Sequence, residues 1–217
     1  MTAAAASTLL VPSGEIELEG NLDVPQDATG VVLFAHGSGS SRHSPRNTFV
    51  ARKLNEERLA TLLIDLLTPE EDANYETRFD IELLTRRLAG AARTLAREPR
   101  TARLGLGLFG ASTGAAAVLR VASGMPEAVS AMVSRGGRPD LAGEQALKRV
   151  KAPALFIVGG RDFRVIELNE QAFVQLDCVK QLAIVQGATH LFEERGALDE
   201  VARLAARWFA RHLTPQR

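Results

Sequence analysis

Residues 103–117 read RLGLGLFGASTGAAA, and this stretch contains two motifs that share a glycine. Gly105, Gly107 and Gly110 form the pattern G-x-G-x-x-G, which is typical of dinucleotide-binding sites. Gly110, Ser112 and Gly114 form the pattern G-x-S-x-G, which is typical of a turn that carries a nucleophilic serine. One motif implies a bound redox cofactor and the other implies acyl chemistry, so the context of the shared glycine decides between them.

The dinucleotide interpretation does not fit this context. A dinucleotide fingerprint follows a strand and opens a helix, but Gly105 and Gly107 lie inside the apolar run 103–110. The ribose-binding acid expected about 20 residues further on is also missing, since only Glu127 lies in that region. A phosphate-binding Walker loop is excluded because no Lys-Ser or Lys-Thr pair follows Gly114. We therefore interpret Gly105 and Gly107 as positions that let helices pack closely on a central strand.

The rest of the chain alternates between short apolar runs and helical patterns. The apolar runs are typical of strands buried on both faces of a parallel sheet, and they occupy residues 30–37, 60–67, 103–110, 129–136, 153–160 and 180–187. Residues 14–23 alternate and predict an edge strand. Ser44-Pro45 predicts a helix start, and apolar spacing predicts helices through 81–95 and 198–209. We expect one α/β domain over residues 1–217, with the Ala-rich residues 1–8 disordered.

Composition narrows the classes of function. The 217 residues include 26 basic and 26 acidic side chains, so nothing favours binding to nucleic acid or to an anionic membrane. No apolar run approaches the roughly 18 residues of a membrane span. The N-terminal stretch lacks the pattern of a signal peptide, and the single cysteine, Cys178, cannot form an internal disulfide. These features predict a cytoplasmic protein.

The serine motif fits its surroundings. The apolar run 103–109 leads into Gly110-Ala111-Ser112-Thr113-Gly114, and a helical pattern follows directly. A nucleophilic serine in this position occupies a sharp, strained turn, which requires small neighbours. Residues 115–117 are all alanine and allow the new helix to start close to the sheet. We therefore predict that Ser112 is a catalytic nucleophile.

A serine nucleophile needs a histidine base and a carboxylate that orients it, and in this kind of fold the chain order is Ser, acid, His. His190 follows the last apolar run, whereas His212 lies at the end of the last helix. We therefore predict His190 as the base. For the acid we predict Asp162, in the Gly-rich turn after the run 153–160, with Asp140 as the alternative. Asp140 has another explanation, as the N-cap of a helix over 141–149, and Asp162 could cap a helix over 166–176.

An oxyanion hole needs two backbone N–H donors aimed at one oxygen. One is expected from the residue after the nucleophile, Thr113. The other is expected from the loop after an early strand, where the sequence HGSGSS makes Ser38 our candidate. In this interpretation His36 braces that loop and does not act as a base.

The ordered segments HGSGSS, GASTG, VGGRD and GATHLF resemble the α/β-hydrolase superfamily, and the short chain resembles its dienelactone hydrolase family. The stretches SSRHSPRN, LLIDLLTPEE and SRGGRPDLAG resemble a serine-type branch that is sometimes joined to phosphoribosyltransferase domains. The resemblance implies a mainly parallel sheet of about eight strands, little or no cap, a triad of Ser112, Asp162 and His190, and no cofactor or metal. One departure is that dienelactone hydrolase itself uses a cysteine nucleophile, which puts dienelactone as the substrate in doubt.

The combined expectation is a serine hydrolase that cleaves an ester, thioester or lactone through an acyl-enzyme. The alternatives are an acyltransferase with the same triad, or a non-catalytic binding module. The expected partner is a small molecule, and four arginines at the carboxyl edge of the sheet predict that it is anionic. Their competing explanation is pairing with nearby acids such as Asp65 or Asp140 to brace loops. The four arginines are Arg42, Arg46, Arg135 and Arg138.

Overall fold

The computed structural model describes residues 7–213, in which eight strands form one sheet with the order β1-β2-β4-β3-β5-β6-β7-β8. β1 and β2 pair antiparallel with each other, β2 pairs antiparallel with β4, and the remaining neighbours are parallel. The mainly parallel eight-stranded sheet is therefore confirmed. Its strands are β1 Ser7–Ser13, β2 Ile16–Asp23, β3 Gly30–Ala35, β4 Leu59–Ile64, β5 Gly105–Ala111, β6 Val129–Arg135, β7 Ala154–Gly159 and β8 Lys180–Val185.

The helices cover both faces of the sheet. They are α1 Pro45–Glu56, α2 Pro69–Ala73, α3 Ile81–Leu95, α4 Thr113–Gly124, α5 Glu144–Arg149, α6 Phe163–Phe173 and α7 Ala197–His212. Short 3₁₀ turns cover Thr77–Phe79 and Pro139–Ala142. No helix within residues 7–213 is long and apolar enough to cross a bilayer.

The N-terminal edge of the sheet differs from the sequence-based expectation. The predicted strand over 14–23 is present as β2, but it lies between β1 and β4 and is not the edge strand. The edge is β1, which the sequence analysis missed because half of its side chains face solvent and its pattern contains Pro12. Of the residues expected to be disordered, 1–6 lie outside the described range, whereas Ser7 and Thr8 belong to β1. The expectation of disorder is therefore wrong for these two residues.

The six predicted apolar runs correspond to β3–β8, with boundaries that differ by three residues or fewer. The first five of these strands are almost entirely buried, but β8 lies at an edge and is only partly buried. α1 starts at Pro45 as predicted, although the Ser44 side chain makes no capping hydrogen bond. The expected helix over 141–149 starts only at Glu144 and has Gly143 at its N-cap, so Asp140 is not a capping residue.

Two apolar layers enclose the sheet. One lies beneath α3 and α4, and the other lies beneath α1 and α7. In the second layer Phe34 and Phe109 stack with their ring centroids 4.7 Å apart. Gly107 leaves room for α7, since a Cβ atom there would lie 2.7 Å from the Phe209 ring. This agrees with the packing interpretation of Gly107. Because β3–β8 are parallel, their carboxyl ends meet at one edge of the sheet.

Candidate active site

Ser112 occupies the sharp turn between β5 and α4. Its backbone dihedrals are φ 50° and ψ −120°, which a residue with a side chain rarely adopts. The end of β6 and the loop after it hold this conformation, because Ser112 N–H donates to Arg135 O over 3.1 Å and Arg138 N–H donates to Ser112 O over 3.0 Å. Strain of this kind persists only where the surrounding structure fixes it, and it concentrates at functional sites.

The two glycines that flank Ser112 are required by close backbone packing. A Cβ atom on Gly110 would lie 2.5 Å from the Cα atom of Ala115. A Cβ atom on Gly114 would collide with the carbonyl oxygens of Ala35 and His36 at the end of β3. The G-x-S-x-G pattern therefore allows β5, α4 and the end of β3 to meet around one serine.

His190 and Asp162 form a close side-chain pair. His190 Nδ1 lies 2.6 Å from Asp162 Oδ2, and these side chains are 38% and 14% exposed. Asp162 stands at the N-cap position of α6 but makes no capping bond, because its carboxylate faces the histidine. Asp140 instead forms a two-pronged ion pair with Arg138, with N···O distances of 2.9 and 2.7 Å. Of the two candidate acids, it is Asp162 that the fold brings to His190.

The loops that carry this pair pack back to back. Gly159, the last residue of β7, packs against the β8–α7 loop, which spans residues 186–196. A Cβ atom on Gly159 would lie 2.6 Å from Ala188 O. Arg161 N–H also donates to Ala188 O over 2.8 Å. Within the β8–α7 loop, Thr189 N–H donates to Glu194 Oε1 over 3.1 Å. Hydrogen bonding from the Thr189 side chain, with smaller contributions from backbone N–H groups including this one, lowers the pKa of the Glu194 carboxyl. The Gly-Gly sequence before Asp162 therefore provides the close approach that joins acid and histidine.

The His190 ring lies beside the loop that holds Ser112. A Cβ atom on Gly136 would be 3.4 Å from His190 Cε1, and Gly136 directly follows Arg135, whose carbonyl binds Ser112 N–H. Within residues 7–213 the Ser112 hydroxyl makes no hydrogen bond to His190. The serine and the histidine thus border the same small region of the carboxyl edge.

The β3–α1 loop, residues 36–44, forms the other wall of this region. A Cβ atom on Gly37 would lie 3.0 Å from Ser112 Cβ, so the loop touches the turn that carries Ser112. Thr113 is the first residue of α4, so its N–H has no intrahelical partner. Ser38 N–H, however, donates to Thr113 Oγ1 over 2.9 Å. One expected oxyanion donor is thus without a helical partner, while the other is held by a side chain.

His36 is tied into this loop. Its Nδ1 lies 3.0 Å from Gly37 O, and its Nε2 accepts a hydrogen bond from Leu66 N–H over 3.3 Å. The second bond requires a lone pair on Nε2, so the ring proton is on Nδ1 and is donated to Gly37 O. This arrangement fits the bracing role that the sequence suggested for His36.

Residues 25–214 match the model of the dienelactone hydrolase family. The chain belongs to this family. A crystal structure of a dienelactone hydrolase from Anabaena variabilis is 54% identical, has a TM-score of 0.95, and aligns with 98% of this chain and 100% of its own. The structure of Est1E from Butyrivibrio proteoclasticus is 15% identical with a TM-score of 0.80, over 94% of this chain and 98% of its own, and it supports the fold alone.

Curated relatives from Mycobacterium tuberculosis, named as candidate phosphoribosyl transferases, are 55% identical over 203 residues. The match covers 94% of this chain but 46% of each relative. The chain therefore spans about half the length of the curated relatives it matches. The matched half is a dienelactone hydrolase family domain, which agrees with the expected branch that is joined to phosphoribosyltransferase domains.

In this dienelactone hydrolase family member, three of the four rim arginines face carboxylates. Arg42 bonds to Asp65 and Glu19, and Arg138 bonds to Asp140. Arg46 on α1 bonds to Glu193 in the β8–α7 loop over 2.9 Å. Bracing of loops, the competing explanation in the sequence analysis, accounts for these contacts. Arg135 differs, because its side chain makes no hydrogen bond or ion pair within residues 7–213.

A cavity of about 450 Å³ adjoins the β3–α1 loop on the side away from His190. Its acidic lining residues are Glu17, Glu19, Asp65 and Asp72. Arg78, which the sequence analysis did not single out, lies next to Gly39 of the same loop and is bound to the Asp72 carbonyl. Arg78 also pairs with the Asp72 carboxylate, and its place beside Gly39 depends on the folded chain, which the local sequence does not show.

Proposed function

We propose that this domain is a serine hydrolase that cleaves an ester-type bond through an acyl-enzyme. The observation that carries the proposal is the convergence of a strained serine with a histidine–carboxylate pair at one edge of the sheet. The roles are Ser112 as nucleophile, His190 as general base and acid, and Asp162 as the group that orients the imidazole. Membership of the dienelactone hydrolase family supports hydrolysis as the reaction class.

The 2.6 Å contact suggests the starting protonation state. An ionised Asp162 accepts the Nδ1 proton of His190, which leaves the lone pair on Nε2. In the proposed first step, Nε2 takes the Ser112 proton as Oγ attacks the substrate carbonyl. The imidazolium then protonates the leaving group, and the carbon–leaving-group bond breaks to give an ester on Ser112. Water, deprotonated by His190, attacks that ester and releases the acid and the free serine.

The hydrogen bond between Ser112 and His190 that this step needs is absent from the described residues. Catalytic hydrogen bonds commonly tighten only when substrate is bound. The position of His190 over Gly136, next to the loop that holds Ser112, supports such an approach by a change of side-chain torsions.

We propose that Thr113 N–H and Ser38 N–H hold the negative oxygen of the tetrahedral intermediate. Thr113 N–H lies at the start of a helix, where the aligned peptide dipoles favour negative charge. Ser38 N–H is bound to Thr113 Oγ1 in the free protein, so the hydroxyl must release it or share it when the oxyanion forms. The Thr113 hydroxyl therefore competes with the oxyanion for Ser38 N–H, and replacing Thr113 by a residue without a hydroxyl should change kcat/KM.

The substrate is proposed to be a small molecule with a carboxylic ester, thioester or lactone bond. The 54% identical Anabaena protein carries the name dienelactone hydrolase, which supports an ester-type substrate of this kind. We assign acyl chemistry to this domain, and we assign no phosphoribosyl transfer to it, because the match to the mycobacterial relatives covers only part of their length. Acyl transfer to an acceptor other than water would use the same acyl-enzyme, and turnover measurements with and without added acceptors distinguish it from hydrolysis.

The test is a panel of p-nitrophenyl esters, thioesters and lactones of increasing acyl length, with Ser112→Ala as the matched control. The proposal predicts steady turnover by the wild type and none by the variant, with equal melting temperatures. A single burst without further turnover, followed by resumption when alcohols or amines are added, would identify an acyltransferase. Absence of both burst and turnover on every substrate would contradict the catalytic assignment.

A further inference from the structure

Arg135 stands next to the proposed nucleophile in the fold. It is the last residue of β6, and its Cα atom is paired with that of Ala111, the residue before Ser112. Its carbonyl oxygen accepts the Ser112 N–H hydrogen bond. Alternate side chains of β6 face opposite layers, and Arg135 faces the same side as Ala131 and Val133, towards α1 and α7. The guanidinium therefore lies at the carboxyl edge, beneath the loop that carries His190.

The Arg135 side chain is buried without a partner. Only 8% of the residue is exposed, and Nε and Nη1 are both buried with no hydrogen-bond acceptor within residues 7–213. Burial, with a smaller contribution from the charge of Arg46, lowers the pKa of Arg135 to about 10. A buried charge without a counter-ion is expensive, and proteins retain such groups mainly where a ligand or a function uses them.

Within residues 7–213, no carboxylate forms an ion pair with Arg135. Its guanidinium carbon lies 5.8 Å from the centroid of the Phe192 ring, which offers only a weak attraction to a cation. Arg46 is close enough to repel it, and the carboxylate of Glu193 is engaged by Arg46. The guanidinium groups of Arg135 and Arg46 are therefore close to each other, and in the described part of the chain only Arg46 of the two is paired with a carboxylate.

We propose that Arg135 binds a carboxylate or phosphate group carried by the substrate of the proposed hydrolase. This inference rests on the proposed function for the position of the scissile bond. Arg42 and Arg138 differ from Arg135 because each is already ion-paired with a carboxylate. Binding to Arg135 also orients the substrate, with its anionic group towards α1 and α7 and the remainder towards the β3–α1 loop.

The experiment compares three p-nitrophenyl esters of similar length, ending in a carboxylate, a phosphonate or a methyl ester. A charge-assisted hydrogen bond of about 1.5–3 kcal/mol corresponds to about a 10- to 150-fold preference in kcat/KM for an anionic ester. We expect this preference in the wild type, its decline with added salt, and a ratio near one in Arg135→Met. Arg86→Met, at an exposed arginine on α3, is the control and keeps the wild-type ratio. Whichever anionic ester is preferred identifies the group as a carboxylate or a phosphate.

Binding to a variant without turnover separates this inference from the proposed function. In Ser112→Ala, the carboxylate or phosphonate ester should bind more tightly than the methyl ester by calorimetry, and adding Arg135→Met should remove the difference. If the wild type hydrolyses nothing but this binding pattern holds, the proposed function fails and the anion site stands. A ratio unchanged by Arg135→Met, or a neutral ester preferred at every salt concentration, overturns the anion site while leaving the hydrolase intact.

Discussion

Replacing Asp162 with asparagine tests how the carboxylate acts on His190. The substitution preserves the size and shape of the side chain, but an amide can turn its NH₂ group towards Nδ1, 2.6 Å away in the native pair. Nδ1 then becomes the acceptor, and the ring proton moves to Nε2. An imidazole protonated on Nε2 cannot accept the Ser112 proton, so the first chemical step is blocked.

The expected loss in kcat is about 10⁴-fold, the size found when the same substitution inverts the tautomer in a Ser-His-Asp protease. This corresponds to about 5 kcal/mol of transition-state stabilisation. The 14% exposure of Asp162 leaves little water to take over the role of the carboxylate. The assay is the initial rate on a p-nitrophenyl ester, with circular dichroism melting to show that the variant is folded.

Asp140→Asn is the matched control, since Asp140 follows the neighbouring strand β6 but binds Arg138. Because this ion pair is partly exposed, its loss should change kcat by less than about threefold. If Asp140→Asn is the disabling substitution and Asp162→Asn retains full activity, the assignment of the acid is wrong.

Three further substitutions test separate parts of the account. Gly114→Ala places a Cβ atom against the carbonyl groups at the end of β3, so we expect the unfolding free energy, measured in urea, to fall by about 3 kcal/mol or more. A fall of less than about 1 kcal/mol would be inconsistent with that packing. Thr113→Val removes the acceptor of the Ser38 N–H hydrogen bond and frees this N–H for the oxyanion, so kcat/KM should rise about fivefold. A fall of about tenfold would mean that the hydroxyl itself stabilises the oxyanion. Glu71 pairs with the buried Arg87, whose hydrogen bond lowers the pKa of Glu71, so Glu71→Gln should cost about 2 kcal/mol at pH 7. A depressed carboxyl pKa gives stability that is present above the unfolded value of about 4.3 and lost as pH falls through the lower folded value. The cost of Glu71→Gln should therefore shrink progressively in melts at increasingly acidic pH, and an equal cost at every pH would refute this reasoning.

The sequence predicted the parts of the fold that depend on local patterns. Continuous apolar runs predicted strands β3–β8, because strands covered by helices on both faces need apolar side chains throughout. The small residues around Ser112 predicted a strained turn, because only such residues fit where β5, α4 and the end of β3 meet. Asp162 could be preferred over Asp140 since a Gly-Gly pair precedes it, and Gly159 is where the acid and histidine loops touch.

Contacts between distant side chains could not be predicted in the same way. Arg42 and Asp65 are 23 positions apart, and Arg46 and Glu193 are 147 positions apart, so their pairing depends on loop positions in the folded chain. The sequence therefore grouped Arg135 with the other rim arginines, although it alone of the four lacks a carboxylate partner in the described residues.

Labelling with a fluorophosphonate tests the central claim most directly, because this reagent reacts with a serine only when a neighbouring base activates it. The account predicts that the folded wild type gains one phosphonyl group, that peptide mapping by mass spectrometry places it on Ser112, and that Ser112→Ala gains none. Labelling should also slow sharply in Asp162→Asn. A folded wild type that stays unlabelled, or a label on another residue, would contradict the assignment of Ser112 as an activated nucleophile.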